Sequence, residues 1–329
     1  IVENFIETKR IPTCWILSDG TIGMELQSIA LAEALDLNYE KKIIKPYWLN
    51  RILPTLANFP GIPLAAEAGE ILSLPTPNIL ITCGRRHAGA SIALKRRSKN
   101  LTYTIHIQDP RINSKHFDLL IIPEHDPSRG SNIITSKGSL NRITPSLLEN
   151  EARLFIKETQ TLKGKKVAVN IGGNTKNHTI DHIMIKKLVV SLNQFSIDNN
   201  CSLMITTSKR SNRLLQQELC SLTRNPNIIV WTSGEPNPYL GFLGIADSVI
   251  VTSDSINMIS EACSTGKPVY IFPFGKDSKR RNKFIQSMET AGIARYFNGK
   301  SENWDYEPLN ETKRIAIIIK NRLKAENII

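Results

Sequence analysis

Aromatic residues are scarce in this 329-residue chain, at 6%, and no apolar run approaches the ~20 residues that a membrane-spanning helix needs. The first shortage disfavours an antiparallel sandwich. Ile, Leu and Val supply most of the 41% apolar content, which suits strands buried in parallel sheets. The five cysteines, Cys14, Cys83, Cys201, Cys220 and Cys263, are odd in number and scattered, with no CxxC and no His at metal-ligand spacing. That excludes a disulfide framework or zinc knuckle and reads as reduced, mostly buried thiols of a cytoplasmic protein. There is no GxSxG elbow, no HExxH, no Walker loop and no full GxGxxG. No short period repeats, which excludes a solenoid. The chain opens at Ile1 without a methionine or a signal-type apolar core, so no targeting address is read from it. Acidic residues are the minority, 30 Asp and Glu against 42 Lys and Arg, a net charge of +12 that favours anionic partners. The basic clusters Arg85-Arg86, Lys95-Arg96-Arg97 and Lys279-Arg280-Arg281 do not alternate with aromatics, so no nucleic-acid platform is expected. They read as a solvated surface, with peripheral attraction to the inner face of a membrane as an accompanying property.

What is present is an alternation of strands and helices. Thr13–Leu17 is an apolar run ending in Ser18-Asp19-Gly20, followed by a helical period over Met24–Leu35. The unit recurs as a strand at Asn78–Thr82, a loop at Cys83–His87, a helix at Ala88–Arg97 and a strand at Leu101–Ile107, with short strands at Leu119–Ile122 and Ile133–Thr135. The Pro-rich stretch from Lys45 to Pro77 has no clear period. A charged helical segment over Asn150–Lys163 leads to strands at Lys166–Ile171, Ser202–Thr207, Ile228–Trp231, Ser248–Thr252 and Val269–Phe272. Helices fall between them at Ile180–Asn199, Asn212–Ser221, Pro238–Ile245 and Ile256–Ser264, and another follows at Lys279–Ala291. This spacing predicts parallel sheets with right-handed crossovers. The expected organisation is an α/β chain with two Rossmann-like domains, 1–155 and 156–308, whose parallel sheets face across a cleft. A last helix, 309–329, carries Ile315, Ile318, Ile319 and Leu323 on one face and is expected to pack back on the first domain.

In such sheets ligands bind beyond the carboxyl ends of strands, where helices begin with unpaired N–H groups. The loop Ser18–Gly23 places Asp19, Gly20 and Gly23 there; Cys83–His87 places Gly84, Arg85, Arg86 and His87; Ile107–Arg111 places Asp109 and Arg111. The arginines are candidate anion binders, and Asp19, His87, Asp109 or His106 a candidate base. In the second half, Gly172-Gly173-Asn174 reads as a diphosphate cradle with Lys176 and His178 behind it, or as a plain tight turn. Ser253, Asp254 and Ser255 stand at a strand-to-helix junction, where the bland role is helix capping. Glu261, further along that helix, is a candidate acceptor for a vicinal diol, or an exposed helix carboxylate.

Taken in order, Ser18-Asp19-Gly20 with Gly23 and Gln27, Cys83-Gly84-Arg85-Arg86, Ile105–Arg111, Gly172-Gly173-Asn174, Thr206-Thr207-Ser208 and the Val251–Pro268 block resemble the mitochondrial-fission ELM (elongated mitochondria) family over nearly the whole chain. The resemblance implies a plant member peripheral to the outer mitochondrial membrane that recruits a dynamin-related GTPase, and bacterial members described as nucleotide-sugar epimerase-like. The lack of a long extension implies a bacterial member. More distantly, Ser253-Asp254-Ser255 with Glu261 and Gly266-Lys267-Pro268 resembles the second-lobe donor motif of GT-B glycosyltransferases and UDP-N-acetylglucosamine epimerases. By that resemblance Ser253 and Ser255 face a diphosphate, Glu261 a ribose, and Gly172-Gly173-Asn174 with Ser208 close around the same nucleotide.

The resulting expectation is a metal-independent, glycosyltransferase-like enzyme that takes a nucleotide-diphosphate sugar and an unidentified acceptor, with no resident cofactor. The acceptor is expected near Gly20, His87 and Asp109. The alternative is a non-catalytic scaffold that binds a protein partner or an acidic membrane; an epimerase or hydrolase of the sugar nucleotide stands behind both.

Overall fold

The computed structural model of the chain describes residues 12–44, 74–174, 179–276 and 278–329. Most of the Pro-rich stretch, and Thr175, Lys176 and His178, lie outside the described residues. Two compact units divide the chain, one formed by 1–141 together with 311–329 and the other by 142–310.

The first unit is built on a six-stranded parallel sheet in the order β2-β1-β3-β4-β5-β6. Its strands are β1 (Cys14–Ser18), β2 (Tyr39–Ile43), β3 (Ile79–Cys83), β4 (Tyr103–Ile107), β5 (Leu119–Pro123) and β6 (Ile133–Ser136). Helix α1 (Ile22–Ala34) connects β1 to β2, and α2 (Arg85–Arg97) connects β3 to β4. β1, β3 and β4 are buried along their whole length, as expected of strands covered on both faces. β2 was not expected from the sequence: Tyr39-Glu-Lys-Lys-Ile is an edge strand with Glu40 and Lys41 exposed to water, and charge on an edge discourages further pairing. Helix α2 begins one turn before the expected Ala88, with Gly84 at its N-cap.

The second unit carries a parallel sheet in the order β12-β11-β10-β7-β8-β9. The strands are β7 (Lys166–Ile171), β8 (Ser202–Thr207), β9 (Ile228–Trp231), β10 (Ser248–Thr252), β11 (Val269–Phe272) and the three-residue β12 (Ala294–Tyr296). Its helices are α3 (Pro145–Arg153), α4 (Ile156–Thr159), α5 (His182–Asp198), α6 (Arg213–Cys220), α7 (Tyr239–Ile245), α8 (Ile256–Cys263) and α9 (Lys279–Thr290). The domain boundary expected at 155 falls instead at 141. The reason is α3, which packs on α7: Leu148 and Phe155 join Phe242 and Leu243 in the second unit's core. Gly241 and Gly244 permit this approach, since a Cβ on either would stand 2.3 Å from Phe155 Cδ2 or the Leu148 carbonyl.

The last helix, α10 (Glu311–Ala325), belongs to the first unit. Ile315, Ala316, Ile319 and Leu323 enter the same core as Cys14, Ile16, Leu31 and Ile105. Its start is fixed by Glu311, whose Oε2 accepts from the Lys137 N–H at 2.8 Å, and by Thr312, whose hydroxyl bonds both the N–H and the carbonyl of Asn141. Among the described residues no helix is long and apolar enough to cross a membrane. Cys14, Cys83, Cys201 and Cys263 are buried free thiols and Cys220 is an exposed one.

Candidate functional site

Each sheet reverses its winding once, and the reversal leaves a crevice at the carboxyl ends of two neighbouring strands. In the second unit the chain runs β7, β8, β9 to one side and returns to β10, β11, β12 on the other, so the crevice lies between β7 and β10. In the first unit β1 leads to β2 on one side and β3 to β4 on the other, so it lies between β1 and β3.

At the second unit's crevice Asp254 is the hub. Its carboxylate, 1% exposed, accepts from the Gly173 N–H at 3.2 Å, from the Thr252 hydroxyl at 2.7 Å and from Arg210 Nη2 at 3.0 Å. The Thr252 hydroxyl also accepts from the Gly172 N–H at 2.8 Å, and the Asn174 N–H donates to the Arg210 carbonyl at 3.0 Å. All three amides of Gly172-Gly173-Asn174 are therefore engaged with the protein itself. The glycines serve close packing: a Cβ on Gly172 would lie 1.9 Å from Asp254 Oδ2, and one on Gly173 2.4 Å from the Arg210 backbone. Ser253 is likewise occupied, its hydroxyl donating to the Phe274 carbonyl and accepting from the Phe274 N–H. Ser255 caps α8 by accepting from the Met258 N–H. Ser208 closes the turn after β8, accepting from the Arg210 N–H at 3.2 Å.

Glu261, partly buried on α8, faces α7, where its Oε2 accepts from the Tyr239 hydroxyl. Burial outweighs that hydrogen bond and pushes the carboxyl up to about 7. Helix α7 is anchored by Lys267, whose Nζ donates to the Leu243 and Gly244 carbonyls at 2.6 and 2.8 Å. Such a cation satisfies carbonyls left open at a helix C-terminus. Burial pushes this ammonium down to about 8, against the pull of Asp247.

At the first unit's crevice the structure brings together Asp19, Arg86 and His87. Arg86 Nη1 donates to Asp19 Oδ2 at 3.0 Å, and the Thr21 N–H donates to Oδ1 at 3.1 Å. Burial alone would raise the Asp19 carboxyl, but the bonds from Thr21 and Arg86, with His87 nearby, hold it at about 2. His87 Nδ1 meets the Cys83 carbonyl at 2.7 Å, while its Nε2 stands 3.9 Å from Asp19 Oδ1. Gly20 and Gly84 take positive φ, the latter pressed against Met24. Gly23, expected in the loop, lies inside α1, where its carbonyl accepts from Gln27. Arg85 is the first residue of α2.

Asp109 and Arg111 form a separate turn beyond β4. The Asp109 carboxylate accepts from the Arg111 N–H at 2.8 Å and the Ser128 hydroxyl at 2.9 Å. His106 is fully buried in β4, bonded to Thr82 and stacked near Phe117, and burial drives it down to about 3. Sequence reasoning missed Arg210 and Tyr239, which contact Asp254 and Glu261. Arg210 stands three residues after a strand end and carried that positional signal; Tyr239 carried none. Among the described residues no three His, Cys, Asp or Glu side chains gather as a metal site.

The family model described as Mitochondrial fission ELM1 matches residues 22–323. The mitochondrial fission protein ELM1 of Arabidopsis thaliana is 32% identical over 281 residues, 76% of this chain but 64% of the plant protein, so the chain spans less than two thirds of that relative's length. The uncharacterized protein RP120 of Rickettsia prowazekii (strain Madrid E) is 29% identical over 350 residues, covering 94% of this chain and 98% of its own. Among solved structures, the UDP-GlcNAc 2-epimerase of Methanocaldococcus jannaschii aligns with a TM-score of 0.58 at 13% identity, covering 94% of this chain and 99% of that one. Medicago truncatula UGT71G1, complexed with UDP-glucose, aligns with a TM-score of 0.51 at 10% identity, covering 97% and 93%. At these identities the likeness shows the fold, an α/β pair of Rossmann-like units of the GT-B kind.

Proposed function

The chain belongs to the mitochondrial-fission ELM1 family, and from that premise we propose that its second unit binds a nucleotide-diphosphate sugar beyond β7 and β10, as a metal-independent, glycosyltransferase-like enzyme. The observation that carries this reading is Glu261. Its carboxylate stands on the helix that starts at the crevice, is hydrogen-bonded by the neutral Tyr239 hydroxyl, and has no cationic partner among the described residues. A carboxylate so placed accepts well from the vicinal diol of a ribose. Arg210 uses one guanidinium nitrogen on Asp254 and is half-exposed, which leaves further N–H groups for a diphosphate. The start of α8 adds its partial positive charge where a leaving diphosphate gains negative charge. Gly172, Gly173 and Ser253 shape this site from behind, through their bonds to Thr252, Asp254 and Phe274. Solved structures of similar fold hold UDP-GlcNAc and UDP, or UDP-glucose, which supports the choice of ligand class.

Thermal unfolding of the wild type and Glu261→Ala against UDP-, GDP-, ADP- and CDP-sugars tests the binding step. A ligand present at 100 times its Kd adds about 2.7 kcal/mol to the folded state. A selective shift that Glu261→Ala abolishes is the expected result; no shift with any ligand overturns it. Release of nucleoside diphosphate on addition of acceptor alcohols then tests transfer.

A second reading, a scaffold for a protein partner or acidic membrane, is favoured by the +12 charge and by the family's fission role as its name gives it. It expects salt-sensitive co-sedimentation with anionic vesicles, or capture of a partner, that survives Glu261→Ala unchanged.

A further inference from the structure

Helix α5 departs from the pattern that its position demands. It covers one face of the second unit's sheet, with Ile185, Leu188, Leu192 and Phe195 in the core. The opposite face of such a helix meets water and is normally polar. Helix α9 obeys this rule: beside its buried Phe284, Ile285 and Met288, the residues it exposes include Asn282, Lys283, Gln286 and Thr290, all polar. On α5, by contrast, Ile183, Val190 and Ile197 are 79%, 66% and 59% exposed. Single apolar residues on a surface need no explanation, but these three are β-branched and stand seven residues apart, on one line along the helix. With Lys187 and Gln194 between them, the line advances by steps of four and three residues, the spacing of a helix that packs lengthwise on another helix.

The charges along the seam say which helix fits. Its first half carries Lys186 and Lys187, both exposed, and its second half carries Gln194, whose amide donates to Asp198 at 2.6 Å. The flank at the first end is His182, 3.7 Å from Glu218 of α6. A second copy of α5 laid antiparallel, about a two-fold axis at Val190, sets Ile183 on Ile197, Val190 on Val190, and the lysine half of each helix on the Asp198 half of the other. Parallel pairing would instead set lysine on lysine. The antiparallel arrangement also brings each basic first half to the negative end of the opposite helix dipole. A patch that complements itself in this way is what a two-fold interface requires. The lysine stems can lie along the apolar line while their ammonium groups stay in water. At 17 residues the helix is about 25 Å long, and a pair of such faces buries on the order of 1,000 Å², at the low end for specific association.

We propose that the outer face of α5 is a self-association surface, through which two copies of this chain pair antiparallel on Ile183, Val190 and Ile197 as a weak, reversible dimer. The proposal stands independently of the nucleotide-sugar reading, since it uses the outer face of the helix and needs no ligand.

The test is sedimentation of the full chain, without nucleotide, over roughly 1 μM to 1 mM, the range in which weak interfaces dissociate. The expected result is a monomer–dimer equilibrium whose dissociation constant rises at least tenfold in Val190→Lys, which places two ammonium groups face to face at the axis. A chain that stays monomeric throughout would overturn the proposal, and the stripe would then await a different protein. So would a dimer that Val190→Lys leaves unchanged, which would pair through another face. Cross-linking decides the matter even if Val190→Lys fails to fold. Under mild oxidation, Val190→Cys combined with Cys220→Ser should form a disulfide dimer faster than the wild type does through its exposed Cys220; an equal or slower rate would count against the axis at Val190 and overturn the pairing.

Discussion

The Gly173 N–H donates to the Asp254 carboxylate across the gap between β7 and β10. That bond makes the most diphosphate-like loop in the sequence an internal strut. The carboxylate is also held by Thr252 and Arg210, so it has no room to retreat from a new methyl group at Gly172. Gly172→Ala is expected to cost about 2–3 kcal/mol, an overpacking penalty. In a domain of this size that lowers the unfolding midpoint by about 5–10 °C. Gly20→Ala is the control: nothing stands within 4 Å of a Cβ there, and only its positive φ is strained, at a cost of about 1 kcal/mol. Equal losses at the two positions, measured by chemical denaturation, would refute the close-packing account of Gly172.

The Glu261 carboxyl, pushed up to about 7 mainly by burial, predicts a pH dependence of definite sign. Between the unfolded value near 4.5 and the folded value near 7, the folded state holds a proton that the unfolded chain has released. Stability from this residue therefore falls as pH rises through that window and is flat above it, by at most about 3 kcal/mol. The difference in unfolding free energy between wild type and Glu261→Gln, followed from pH 4.5 to 8, isolates the effect. Since a diol prefers the ionised carboxylate, nucleotide-sugar affinity should rise from pH 6 to 8 in the wild type and stay flat in Glu261→Gln.

Asp19 carries the opposite sign. Although burial opposes it, hydrogen bonds from Thr21 and Arg86 hold the carboxyl at about 2, below its ordinary 3.8. Its contribution, about 2 kcal/mol, is fully present above pH 4 and is lost as pH falls through 2. Acid unfolding of Asp19→Asn should consequently be shallower than that of wild type between pH 2 and 4. Identical acid limbs would show that the Arg86 pair contributes nothing in solution.

How far the sequence revealed this molecule depends on what each residue does. β7, β8, β9, β10 and β11 were legible to the residue, because each is an apolar run stopped by a polar or turn residue. β2 and β12 were not: the first is a charged edge and the second three residues long, so neither shows the signature of a buried strand. At the sites, strand-end position brought Asp19, Arg86 and His87 into view together. Gly172-Gly173 announced that something comes close to the backbone, but not that it is Asp254. Tyr239 was invisible because its pairing with Glu261 joins residues 22 apart on two different helices, a relationship that only packing creates.

The C-terminal helix offers the sharpest check on the division of the chain. Ile319 is fully buried against the first unit's sheet, although some 170 residues of the second unit separate it in sequence from β6. Ile319→Ala should remove about 2–5 kcal/mol of stability, the usual cost of a cavity in a packed core. The loss belongs to the first unit alone. Hydrogen exchange should therefore quicken across β1, β3 and β4, whereas the amides of β7, β8 and β10 keep their protection. Phe284→Ala, in the second unit's core, should give the reverse pattern. If both substitutions loosen both sheets equally, the units unfold as one body and α10 is not a private element of the first.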